Sequence, residues 1–276
     1  MIAVDKLNNR LRAPMIKSRV LNTEILFQLF VKYIKPEIIC DVGTMDASHS
    51  LLFRKISGTA QIFAFEANPY NYQRIIREGI AESNNIEVVH KAVSNNSKQL
   101  VFHVQKCTNN SEDQWKTGTS SILERREAVG DTEEVSVEAV RLDDFLNETG
   151  RPGKSIALWI DVEGAGFEVL EGIKNITDNV IFLQVEVESV EVWQGQKLKI
   201  DVQKLMSGYG FIEVGRGKHD KQHDLVYVNK YFLKKNSKKC TILVNLALTF
   251  YYVRKFGGHA LSNMLLLPIL GIWRKD

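Results

Sequence analysis

Four short apolar runs along the chain stop at carboxylates. Glu37–Val42 reaches Asp41, Gln61–Phe65 runs into Glu66, Ser155–Ile160 into Asp161 and Glu163, and Val180–Val187 into Glu186 and Glu188. Runs this short and this apolar predict strands buried on both faces, and Ile86–His90 is a fifth. Elsewhere apolar residues recur every three or four positions, as in Ile25, Leu26, Leu29, Phe30, Tyr33 and Ile34. That spacing predicts helices over Asn22–Ile34, Asp46–Lys55, Pro69 to about Ile80, and Leu198–Ser207. Asn22 or Thr23, Asp46 and Pro69 carry helix-start chemistry, while Pro36 and Gly58 end the helices before them.

Strands and helices thus alternate, and Gly210–Val214 with Asp224–Val228 closes the pattern as a hairpin. The expected fold is α/β: a Rossmann-like, doubly wound, mostly parallel sheet of about seven strands with one antiparallel edge member. A β-rich insertion interrupts it from about residue 98 to 150. Within it, Lys98–Val104 and Val135–Val140 alternate as strands do, Cys107–Gly118 is polar, and Leu142–Leu146 reads as a short helix. The chain divides into an N-terminal arm and helix (1–35), the sheet domain (36–229) and a C-terminal extension (230–276). In that extension Lys230, Lys234, Lys235, Lys238 and Lys239 precede two apolar runs, Thr241–Val253 and Leu265–Trp273. Each run is shorter than the ~18 residues that a spanning helix needs. Two readings fit: a helical appendage docked on the sheet, or a peripheral anchor on the inner face of a membrane with Trp273 in the interface.

Composition narrows the class. With 276 residues, 44% hydrophobic and 25% charged, the chain has material for a full core, and a net charge of +3 gives no reason to expect nucleic acid. Cys40, Cys107 and Cys240 have neither zinc nor disulfide spacing, and the N-terminus has no apolar leader core. The expected setting is the cytoplasm.

In sheets of this kind ligands bind beyond the C-terminal ends of the strands, where the carboxylates collect. The first turn, Asp41-Val-Gly43-Thr44-Met45-Asp46, has one glycine and an acid where a pyrophosphate would sit. It lacks the glycines of a dinucleotide or Walker loop, which disfavours a nicotinamide oxidoreductase. S-adenosylmethionine has no phosphate and carries a sulfonium cation, so an acid-lined crevice suits it. Glu66 is then the candidate for the ribose hydroxyls, or else a helix-start carboxylate. Asp41 and Gly43 would line the methionine part, and Ala92 and Val93 would flank the adenine. Asp161 is the first candidate at the reaction centre, as base or metal ligand, or as a helix cap. Glu163 either helps it or pairs with a lysine. Glu186 could complete an oxygen site for Mg²⁺ with Asp161, or be a solvated strand-end charge. His223 could be a general base, or a structural hairpin histidine. Ser120 and Ser121 could touch the acceptor from the insertion, or make turns.

The run I-D-V-E-G-A-G-F-E-V-L-E-G, from Ile160 to Gly172, resembles the signature of FkbM-type methyltransferases. Further segments agree in order: Asp41-Val-Gly43, Phe65-Glu-Ala-Asn-Pro69, Lys91-Ala-Val-Ser94, Thr119-Ser-Ser-Ile122, Arg141-Leu-Asp-Asp-Phe145 and Asp224-Leu-Val-Tyr-Val-Asn229. The resemblance spans roughly Pro36 to Asn229. It implies transfer of a methyl group from S-adenosylmethionine to a hydroxyl of a sugar, glycan or other small or lipid-linked acceptor. Thr44 and Asp161 complete the candidate cofactor-binding set. The family turn commonly reads D-V-G-A-N-x-G; here Thr44, Met45 and Ala47 stand in place of Ala, Asn and the second Gly. The alternative is a non-catalytic Rossmann-type module recruited to a membrane or glycan-assembly complex.

Overall fold

The computed structural model describes residues 18–106, 118–127, 130–217 and 221–270, side chains of 257–264 and 267 excepted. Its elements in chain order are β1 (Arg19–Val20), α1 (Thr23–Ile34), β2 (Ile38–Val42), α2 (Ser48–Ile56), β3 (Gln61–Phe65), α3 (Pro69–Glu78), α4 (Ile80–Ser83) and β4 (Ile86–Val89). Then come β5 (Ala92–Val93), β6 (Gln99–Gln105), β7 (Thr132–Val140), α5 (Leu142–Glu148), β8 (Ile156–Ile160), α6 (Gly166–Glu171) and β9 (Val180–Glu188). The chain finishes with α7 (Lys199–Gly208), β10 (Phe211–Arg216), β11 (Gln222–Asn229), α8 (Lys230–Lys235) and α9 (Ser237–Leu270).

The local chemistry explains the boundaries. Asn22 caps α1 by accepting from the Ile25 amide at 2.8 Å, and Lys35 closes it in a left-handed conformation before Pro36. Asn68 caps α3, with Pro69 in its first turn. Asp46 accepts from the Ser48 amide at 2.9 Å, so α2 begins two residues after the expected start.

The main sheet runs β1-β10-β11-β9-β8-β2-β3-β4. This corrects two expectations. The sheet has eight strands because Arg19–Val20 adds a short one parallel to β10. The antiparallel strand is also not at an edge. The α7 crossover leaves room beside β9, and β11 returns through the hairpin to pair antiparallel with both β9 and β10. The insertion builds a second, three-stranded sheet, β5-β7-β6. The polar run expected between β6 and β7 lies, over residues 107–117, outside the described residues.

Both faces of the main sheet are covered. Leu142, Leu146, Val169, Leu170, Val202 and Met206 from α5, α6 and α7 pack on one face. Phe27, Phe30 and Phe53 from α1 and α2 pack on the other, against Trp159 and Phe182. The long helix α9 covers α1 with Leu243, Val244, Ala247 and Phe250. The docked reading of the C-terminal extension therefore holds as far as Leu270; Trp273 lies outside the described residues. Among those residues no helix is long and apolar enough to cross a membrane.

Candidate active site

Strand alternation sorts the carboxylates. Ile39, Trp159, Phe182 and Val226 face α1 and α2, so residues two or four positions away along the same strands share that face. These are Asp41, Asp161, Glu186 and Asp224. Register aligns them, with Ile160 opposite Val185 and Asp224 opposite Glu186. Asp161 thus stands level with Glu186 and Asp224 at the C-terminal edge of the parallel strands. His223, one residue from Asp224, points to the opposite face beside Val187. Its Nε2 lies 2.8 Å from Ser189 Oγ, and it takes no part in the cavity, contrary to expectation.

That cavity opens beyond the strand ends. Gly43, Met45, Glu66, Asn71, Ala92, Val93, Asp161, Glu163 and Glu186 line it, with Lys91 and Phe102 at its side and Ser120, Ser121 and Ile122 covering it. Asp41 lies behind the wall. It is fully buried and its Oδ2 accepts from Thr44 Oγ1 at 2.7 Å and Ser50 Oγ at 2.6 Å. Asp41 and Thr44 therefore hold the first turn in shape from beneath. Gly43 is in the left-handed region (φ 84°), and a Cβ there would lie 1.9 Å from the Asp161 carbonyl oxygen. The strand ends of β2 and β8 meet through this residue, which only glycine can occupy.

Glu66 is 5% exposed and accepts from the backbone amides of Met45 and Asn68, each at 2.7 Å. Burial pushes its carboxyl up to about 7 despite those bonds. Its oxygens keep lone pairs for further donors. Met45 (φ 54°) and Ala47 (φ 61°) are also left-handed, so the turn keeps the backbone that Asn and Gly adopt readily, with other side chains on it.

The segment after β8 is shaped by close approaches. Glu163 has φ 29° and Gly164 φ 80°, and a Cβ on Gly164 would lie 2.2 Å from the Trp193 ring. Trp193 in turn carries the Arg125 guanidinium 5.3 Å from its ring centre, and Ser121 Oγ donates to the Glu163 carbonyl at 2.6 Å. The insertion is thereby fixed over the strand ends. Arg141 grips Asp143 with two bonds of 3.0 and 2.7 Å, and Asp143 receives the Asn175 amide, which ties α5 to the loop following α6.

Carboxylates crowd this edge. Burial and the neighbouring Asp161 and Glu188 push Glu163 up to about 7, opposed by Arg125. Asp161 is raised by burial and by Asp224, and Glu186 is raised further by burial, Asp161 and Glu163. Both groups therefore hold a proton more firmly than an ordinary carboxyl. Glu163, Glu186 and Glu188 have carboxylate oxygens within 4.8 Å of one another, and Gln196 donates to Glu188. Asp161 is outside that trio, so the trio differs from the expected Asp161 and Glu186 pair.

Sequence reasoning missed several members. His49 packs on Trp159 (ring centroids 4.5 Å apart) and lies close enough to Asp41 and Asp161 to oppose the effect of burial on both. Asn71 bonds the Glu66 side chain from the first turn of α3. A register argument from Asp161 across to β9 and β11 could have found Asp224; no pattern marks Trp193.

The Methyltransferase FkbM domain family matches residues 41–213. The chain belongs to the FkbM methyltransferase family. It is an S-adenosylmethionine-dependent methyltransferase, and the single-glycine turn, the buried Glu66 and the acid-lined cavity suit that cofactor's sulfonium and ribose. Similar curated proteins are the 2-O-methyltransferase NoeI of Sinorhizobium fredii, 28% identical over 59% of this chain and 68% of that one, and the hexuronic acid methyltransferase AglP of Haloferax volcanii, 24% identical over 67% and 72%. Among solved structures, the N-terminal domain of EvdMO1, in the presence of SAH and D-fucose, covers 83% of this chain and 97% of its own at TM-score 0.41 and 8% identity.

The crowded carboxylates of this methyltransferase predict a pH response. Glu66 and Glu163 stay protonated to about pH 7 in the fold, against an ordinary value of 4.5. The folded state binds more protons in that window, so their contribution is full below 4.5 and is lost as pH rises through 7. The melting temperature of the ligand-free enzyme should fall from about pH 5 to about pH 8, and less steeply in Glu163→Gln. Thermal unfolding across that range checks it; a flat or rising profile would count against the burial of these groups.

Proposed function

We propose that the enzyme methylates a hydroxyl of a neutral sugar, free or within a glycan or lipid-linked saccharide, with Asp161 as the proton acceptor. The observation that carries this reading is that Asp161, Glu163 and Glu186 line the same cavity as Glu66. Carboxylates accept from sugar hydroxyls, and a strand-end cluster offers several acceptors to one ring. NoeI is named for transfer to oxygen and AglP for a hexuronic acid acceptor, which supports a sugar hydroxyl. A uronate would add a negative charge to a cluster whose members already oppose one another's ionisation, so this chain should differ from AglP in preferring neutral sugars.

In the proposed arrangement Glu66 accepts from the ribose hydroxyls, Gly43 lets the cofactor's methionine part approach the backbone, and Ala92 and Val93 flank the adenine. Asp41 and Thr44 keep the turn in position. When bound, S-adenosylmethionine supplies the methyl carbon, and its sulfur keeps the electron pair of the broken C–S bond. Asp161 takes the hydroxyl proton as the acceptor oxygen forms its new bond to carbon. Glu186 and Glu163, on the wall of the same cavity, hold the acceptor. If the enzyme uses Mg²⁺, Glu163, Glu186 and Glu188 are the ligand set to test, and no step above depends on it.

The test is transfer from labelled S-adenosylmethionine to paired oligosaccharides that differ only in a terminal hexose or hexuronate. Like charges a few ångströms apart predict about tenfold or more faster transfer to the neutral member. Preference for the uronate would overturn the charge argument, and no transfer to either would overturn the sugar assignment.

A further inference from the structure

We propose that the outer face of α8 and α9 binds an anionic lipid surface. The docked and membrane-facing readings of this segment are not exclusive, because the helix has two faces. Cys240, Leu243, Val244, Ala247 and Phe250 are buried against the rest of the chain. Lys238, Ile242, Asn245, Thr249, Tyr252 and Phe256 recur at spacings of three and four, and all are exposed. Ile242 is 65% exposed and Phe256 78%, and Tyr231 on α8 is 73% exposed. Large apolar side chains this open on one helix face mark a contact surface.

Charge selects the partner. Lys230 to Leu270 contains seven lysines and arginines and no acid, which leaves 29 basic against 33 acidic residues elsewhere. The whole positive balance of the chain sits on this segment. Lys230, Lys234, Lys235, Lys238 and Lys239 are exposed, and among the described residues none of them forms an ion pair. Lys255 lies 5.4 Å from the Phe256 ring, so the aromatic and basic groups are adjacent. A cationic helix with Tyr, Phe and Ile on its outer face is built for the headgroup boundary of an acidic bilayer. A second copy meeting this face about a two-fold axis would set lysine against lysine. The β11 strand runs opposite to the parallel strands, so α8 starts at the sheet edge away from the catalytic cavity.

Removing 230–276 is not a clean control, since it would uncover the apolar surface of α1. The experiment is co-sedimentation of the full chain with phosphatidylserine–phosphatidylcholine vesicles and with phosphatidylcholine vesicles alone. Variants are Lys234→Glu/Lys235→Glu/Lys238→Glu/Lys239→Glu and Tyr252→Ser/Phe256→Ser, each first shown to be stabilised by SAH as the parent is. The parent should pellet with the acidic vesicles and much less with the neutral ones. Each lysine near such a surface is worth about fivefold in partitioning, so the charge reversal should abolish it and high salt should weaken it. The aromatic double variant should bind at least severalfold less. Equal pelleting of parent and charge-reversed chains overturns the proposal, as does binding that ignores lipid charge or a salt-sensitive complex formed only with another protein. None of these outcomes bears on the methyltransferase site, whose cofactor binding the stabilisation by SAH reports separately.

Discussion

Asp161→Asn is expected to lower the turnover number by about 10²- to 10⁴-fold, the usual contribution of a positioned acid–base group. Asparagine keeps the shape of the side chain at the end of β8 and removes its ability to take a proton. Asp161 is the strand-end carboxylate best suited to the task. It ends β8 on the cavity wall, and burial and Asp224 raise it toward neutrality. In the parent enzyme the rate should therefore climb with pH as Asp161 ionises, and that limb should vanish in the variant. The fold should not suffer. Asn removes a charge that Asp41 and Asp224 oppose, so the melting temperature at pH 8 should hold or rise. Single-turnover rates over pH, with thermal unfolding alongside, check both halves. Normal turnover in Asp161→Asn would transfer the base to Glu163 or another group.

Gly43→Ala is expected to cost the most stability for the smallest change in volume. A methyl group at φ 84° would stand 1.9 Å from the Asp161 carbonyl oxygen, and both atoms belong to strand ends locked in one sheet. Left-handed strain of about 1–2 kcal/mol adds to an overpacking penalty of about 1–3 kcal/mol or more. For a chain of this size that is a drop in melting temperature of roughly 10 °C. The turn that carries Met45 would move with it, so stabilisation by SAH is expected to be lost as well. Gly58→Ala is the matched control, since a Cβ there meets nothing within 4 Å. A Gly43→Ala chain that melts and binds like the parent would mean that β2 and β8 do not meet as described.

Much of this was legible in the sequence. The four apolar runs ending in acids locate their strands to within a residue or two, because burial on both faces leaves an unbroken apolar signal. Gly43 and Glu66 line the cavity because a parallel sheet delivers its strand ends to one edge, and Ala92 and Val93 line it from β5, just beyond the end of β4. What was missed depends on long-range pairing. Arg19–Val20 is too short to carry a period, and it becomes a strand only because β10 offers a free edge. The internal position of β11 follows from where the α7 crossover lands. A histidine's titration range makes His223 a natural candidate base, yet strand parity turns it away from the acids and brings Asp224 in. Trp193 matters because its ring fills the space that Gly164, lacking a Cβ, leaves open. That is a contact between two loops well separated along the chain, and no local pattern records it.

The altered Thr44–Ala47 turn would favour a non-catalytic role if it disabled cofactor binding. Its backbone instead keeps two left-handed residues and presents the Met45 amide to Glu66.

The most direct test of the central claim is calorimetric titration of the parent chain and of Glu66→Ala with S-adenosylmethionine. At pH 8, above the value of about 7 to which burial raises Glu66, hydrogen bonds to its charged carboxylate are worth about 1.5–3 kcal/mol, so the account predicts micromolar binding in the parent and roughly 10- to 150-fold weaker binding in the variant. No binding by the parent, or equal affinity in both, would contradict it.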